Sequence, residues 1–266
     1  MVFSENKGIK LAHFENLLKH RTTISHFVTT RHGGVSEQTY GTLNMGLNQT
    51  DNTYSVLENR RRLANAIGIT PADFVFPIQV HGTNIVRVFE EDRGKGAFTK
   101  DDAFDNTDGF ITNTKGLCLM SLAADCVPIV VFDPINKAIG VAHSGWKGTV
   151  LQIPSYLVSA MQCAFNSKPS DLIVGIGPSG GPCCYEVGQD VIDEVAKKFD
   201  IGKVIIKREK KTIFNLWEAN RITLIESGVK PQNIEISEIC TISQNDIFFS
   251  ARQGDGGRFA AGIFLL

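Results

Sequence analysis

The stretch ADCVPIVVFDPINKAIGVAHSGWKG, Ala124 to Gly148, holds two short apolar runs with a turn between them. Pro128–Phe132 and Ala138–His143 have the length and composition of buried strands. Asp133-Pro134-Ile135-Asn136 has the composition of a tight turn. The segment therefore predicts a hairpin. Its return strand brings His143 back beside Cys126, 17 positions earlier in the chain.

Working outward, strand signals recur. They lie at Ile24–Thr30, Gly109–Asn113, Gly116–Ala123 and Leu172–Gly177. Phe74–Val80 and Asn84–Phe89 read as strands with a His81-Gly82 turn between them. Lys203–Lys207 and Lys211–Asn215 suggest a second hairpin, and short strands are expected near Ile234, Ile247 and Phe259. Helical spacing appears after Ser55, where Glu58 completes a capping-box spacing and Gly68 is the expected stop. It recurs at Val150–Phe165 with Pro154 in the first turn, at Gln189–Phe199, and at Asn220–Ser227 before Gly228. A few separated helices among many strands predict a layered mixed α/β sandwich with mixed sheets and one core.

Bulk properties narrow the function classes. The chain has 266 residues, 42% hydrophobic and 21% charged, as in soluble globular proteins. Such a chain can bury a core without metal support, so a metal here is expected to be functional. A net charge of −1 argues against a nucleic-acid surface. The basic runs Arg60-Arg61-Arg62 and Lys207–Lys211 read as solvated faces. No signal peptide or membrane span is evident, so a cytoplasmic protein with six reduced cysteines is expected. Glu90–Asp105 reads as a surface loop, and residues 1–266 as one domain.

Three segments put metal-competent side chains at strand ends: Gln79-Val80-His81-Gly82, Ala124-Asp125-Cys126 and Ala142-His143-Ser144. Imidazole and thiolate are ligands zinc prefers, and three of them leave a fourth position open. His81, Cys126 and His143 are thus the candidate ligands, with His81 arriving from an adjacent strand. Spacing alone leaves a packed or hydrogen-bonded role open for each, since no CxxC or HExxH motif is present.

The run ADCVPIVVFDP with IGVAHSGWKG closely resembles the YfiH / laccase-domain family of multifunctional purine nucleoside phosphorylases. TTRHGGVS, NMGL, ENRRRL, QVHG, TDGFITN, IGPSGGPCCYEVG, FFSAR and GGRFA follow the family's order across nearly the whole chain. The resemblance implies a four-layer α/β/β/α sandwich and a zinc site at His81, Cys126 and His143, with copper as the other candidate metal. It implies phosphorolysis of adenosine, inosine, guanosine and methylthioadenosine, with adenosine deamination beside it. Departures fall at Asn48, Gln49-Thr50, Ser179 and Lys147, and bear on substrate preference. Arg31, Asn48, Lys147 and Arg252 are the substrate-binding candidates. Arg31 precedes a Gly-Gly turn whose N–H groups could face an anion. Asp125 is the candidate acid or base, or an orienting partner of a ligand.

Two further readings use the same residues: a cysteine hydrolase with Cys126 as nucleophile and His143 as base, and a non-enzymatic nucleoside-binding regulator. Cys183-Cys184 reads as packing at a loop end rather than a redox pair. Gly175–Gly180 fits GxGxxG, but Pro178 and Pro182 preclude the helix that a dinucleotide site needs. The six histidines contain no His-x-His pair, so multicopper chemistry lacks ligands.

Overall fold

The computed structural model describes residues 1–47, 50–208 and 211–266. In chain order these form β1 (Val2–Asn6), β2 (Ile9–His13), α1 (Glu15–Leu18), β3 (Ile24–Thr29), α2 (Thr53–Ile67), β4 (Phe74–Val75), β5 (Ile85–Arg87), β6 (Gly109–Thr112), β7 (Cys118–Ala123), β8 (Val127–Asp133), β9 (Ala138–Ser144), α3 (Trp146–Val150), α4 (Ile153–Phe165), β10 (Ile173–Ile176), α5 (Gln189–Ala196), α6 (Ile201–Val204), β11 (Ile205–Arg208), β12 (Lys211–Phe214), α7 (Leu216–Glu226), β13 (Ile234–Ile236) and β14 (Phe259–Leu265).

Two mixed six-stranded sheets result, in the orders β1-β2-β3-β14-β7-β4 and β13-β10-β8-β9-β6-β5. The opening hairpin forms as predicted: β8 and β9 are antiparallel, with Pro128 opposite His143. Asp133 Oδ1 accepts from the backbone N–H groups of Ile135 and Asn136 and closes the turn.

Both strands are buried on both faces, which explains their near-continuous apolar sequence. Ile129 and Val131 point to one side, with Leu157, Val158 and Met161 of α4. Val130 and Phe132 point to the other, where they meet Leu119, Phe259 and Ile263 of the first sheet. On that sheet's far face, Met120 and Ala260 pack with Leu63 and Ala64 of α2. The predicted single core is therefore three apolar interfaces, because strands of both sheets alternate their side chains between two layers.

Several local expectations shift. Asn52, not Ser55, caps α2 by accepting from the Tyr54 N–H, and Gly68 ends it in a left-handed conformation. Glu58 instead pairs with Arg61 and Arg62. Arg60 departs from the solvated-face reading. It is fully buried over the Phe76 ring and donates to the carbonyls of Met45, Gly96 and Ala97. That contact holds the Glu90–Asp105 segment to the body rather than leaving it a free surface loop.

The apolar segments around His81 are not a hairpin. β4 joins the first sheet and β5 the second, so the chain crosses between sheets at His81. The Val150–Phe165 helix breaks at Gln152, which has φ +60°. Ile247 lies in a turn, and α7 begins earlier than expected, capped by Asn215. Part of the Lys207–Lys211 run lies outside the described residues.

Candidate metal centre

Cys126 ends the turn just before β8, and His143 sits near the end of the paired strand β9. His81 comes from the crossover and has φ +62°, which turns its ring back toward them. The three ligand atoms lie within 4.8 Å of one another. Cys126 Sγ is 3.8 Å from His81 Nε2, close to the ~3.6 Å that tetrahedral zinc imposes between sulfur and nitrogen ligands. The residues present therefore fit a metal ion.

Asp108, buried in the turn before β6, organises the site. It accepts from the backbone N–H groups of Val80, His81 and Gly82 at 3.2, 2.9 and 2.7 Å. It also pairs with His143 Nδ1 at 2.9 Å, which leaves Nε2 of that ring free to ligate. One carboxylate thus fixes two of the three candidate ligands. Behind His143, Ser144 bonds to Thr149 and Asn220 and locks the start of α3. Gly145 is required by closeness: a Cβ there would lie 2.7 Å from His81 Cδ2 and 3.0 Å from Cys126 Sγ.

The electrostatics favour a metal-ready thiolate. Burial pushes the Cys126 thiol up, but the His143 charge and hydrogen bonds from both imidazoles outweigh it and bring it to about 6. Burial lowers His143, yet the Cys126 thiolate and Asp108 raise it to about 9. Burial also pushes the Asp108 carboxyl up, and the bonds from His143 and the backbone hold it below its usual range.

The three ligands open into a cavity of about 590 Å³ that also touches Gln79, Asp125, Trp146, Lys147, Tyr185, Arg252 and Arg258. Of the sequence candidates, Lys147, Arg252 and Asp125 reach it. Asp125, however, has both carboxylate oxygens engaged: Oδ1 accepts from Thr241 at 2.6 Å and Oδ2 from the Arg252 N–H at 2.8 Å. It ties the Arg252 segment down, and the orienting carboxylate of the ligands is Asp108.

Arg31 does not line the cavity. It pairs with Asp255 and stacks on Phe249, holding the segment that carries Arg252 and Arg258. The Gly-Gly turn after it is also used internally, since the Gly34 and Val35 N–H groups donate to Thr42 and Asn59. Asn48 lies outside the described residues. Asp108 and Arg258 were missed in the sequence. Their signal was a charged residue beside glycine at the mouth of a buried strand, in TDGFITN and GGRFA.

A mixed α/β fold whose His-Cys-His cluster opens into a cavity shared with Lys147, Arg252 and Arg258 defines a candidate metal-site protein. The family model described as multi-copper polyphenol oxidoreductase laccase matches residues 25–266, and the chain belongs to that family. A Bacteroides thetaiotaomicron protein named purine nucleoside phosphorylase is 34% identical, over 99% of this chain and 99% of its own. The Geobacillus stearothermophilus purine nucleoside phosphorylase YlmD is 39% identical, over 89% and 88%. A prokaryotic protein named adenosine deaminase RL5 is 30% identical, over 90% and 92%. The crystal structure of Bacillus licheniformis YfiH superposes with a TM-score of 0.91 at 34% identity, covering 99% of each chain.

Proposed function

We propose that this chain, acting as one cytoplasmic domain, is a zinc-dependent purine nucleoside phosphorylase that also deaminates adenosine. Its substrates are adenosine, inosine, guanosine and methylthioadenosine, with phosphate as the second substrate. The carrying observation is the convergence of His81, Cys126 and His143 with Lys147, Arg252 and Arg258 on one cavity. That volume suits a nucleoside. Bound at the three ligands, zinc supplies Lewis acidity toward a substrate atom. Lys147, Arg252 and Arg258 bind phosphate and offset charge on the departing base. Trp146 and Tyr185 offer aromatic surface to the purine. Asp125 keeps Arg252 in position.

The test is product analysis of adenosine and inosine, with and without phosphate, beside Cys126→Ala. Free base that needs both phosphate and Cys126 supports phosphorolysis. Inosine formed from adenosine without phosphate supports deamination. A zinc-loaded protein that turns over neither substrate sinks this reading and favours a nucleoside-binding regulator.

A cysteine hydrolase remains the second reading, because the lowered Cys126 thiol beside a raised His143 is also the pairing of an activated nucleophile. Metal removal separates the two: chelation abolishes the phosphorylase and releases the hydrolase.

A further inference from the structure

A second group of soft ligands lies outside the His-Cys-His site. Cys183, Cys184 and Cys240 bring their sulfurs within 4.8 Å of one another, and among the described residues no imidazole or carboxylate joins the set. Sequence alone shows only the adjacent pair Cys183-Cys184. The third thiol arrives from another loop, where Ser179 and Cys240 bridge as parallel backbone segments. Gly181 lets those segments close, since a Cβ there would lie 2.8 Å from Cys240 Cβ. The Gly181 N–H donates to Cys240 Sγ at 3.2 Å, a contact that favours thiolate. Trp217 Nε1 bonds to the Ser179 hydroxyl at 2.7 Å and fixes the loop from behind. Cys183 is exposed and Cys184 half-buried, so an ion can enter from solvent.

We propose that Cys183, Cys184 and Cys240 form a second, all-sulfur metal site that takes a soft monovalent ion, cuprous copper. Three thiolates without nitrogen or oxygen suit three-coordinate copper(I). Zinc, a borderline ion that takes imidazole as well as thiolate, is better served by the mixed set at His81, Cys126 and His143. Binding involves no electron transfer. Each thiol that ligates releases its proton to solvent, and copper stays monovalent. The inference is independent of the activity assigned to the cavity.

The experiment titrates reduced full-length protein anaerobically with cuprous ion supplied as its acetonitrile complex. Copper per chain is counted and the coordination shell read by X-ray absorption. The Cys126→Ala protein is expected to retain one copper in a sulfur-only shell. Adding Cys183→Ser, at an exposed position, weakens that binding by about tenfold or more. Cys240→Ser does the same, with thermal unfolding as the folding control. Loss of all copper binding in Cys126→Ala overturns the proposal. So does unchanged affinity in Cys183→Ser, or displacement of copper from the cluster by equimolar zinc.

Discussion

Among the described residues two pairs of histidines meet edge to face: His81 with His143, ring centroids 4.8 Å apart, and His13 with His26, 5.6 Å apart. His143 and His26 are almost equally buried, at 3% and 4% exposure. Their proton affinities diverge all the same. Burial and the neighbouring His13 push His26 down to about 3. Its Nε2 accepts the Phe14 N–H at 2.9 Å, a bond only the neutral ring can make. His143 is desolvated too, but Cys126 and Asp108 carry it to about 9. Desolvation is common to both rings, so the anionic partners decide the direction. One ring is structural and neutral; the other belongs to a charged cluster that a cation can enter.

The largest effect should come from removing the anion that distinguishes the pairs. Cys126→Ala is expected to cost bound metal and about 1000-fold in turnover, read by metal analysis and nucleoside assays. Unchanged metal content would erase the distinction between the two pairs.

Acid should strike the other pair. The unfolded chain protonates His26 near 6.5, whereas the folded chain resists until about 3. The folded pKa is depressed, so this stability is present above 6.5 and is lost as pH falls toward 3. Urea unfolding at about pH 7 and about pH 4 should differ by on the order of 3 kcal/mol from this ring. Asp108→Asn keeps the side-chain shape and removes the charge. Metal affinity should fall about 10- to 100-fold in competitive chelator titrations, and the His143 pKa should move down toward that of His26. The smallest effect belongs to His26→Gln. Turnover and metal content should change less than about twofold, while the acid sensitivity of unfolding shrinks. A large loss of activity would show that the two pairs are coupled.

Local pattern carried much of this into the sequence. The β8–β9 hairpin was legible because burial on both faces leaves a continuous apolar run ending in a strong turn. Cys126 and His143 were legible as its two ends. His81 was legible as a candidate ligand at a strand end but not as a crossover, since β4 and β5 are too short to reveal which sheet each will join. Asp108 was hidden because its role depends on three backbone N–H groups far upstream. Arg60 was hidden because its carbonyl partners come from two separate loops. The Gln152 break was invisible for a similar reason: an apolar run looks the same through a single left-handed residue. Arg31 looked like an anion binder from its glycine neighbours, and only the position of Asp255 reveals its structural task.

The crossover at His81 also bears on how the chain is assembled. Cys126 and His143 can meet as soon as one hairpin closes. His81 reaches them only where the segment leaving the first sheet enters the second, and Asp108 holds it there through the His81 N–H. The three side chains therefore share one place only where both sheets are in contact. A metal ion held by all three side chains would therefore report that the two sheets have docked.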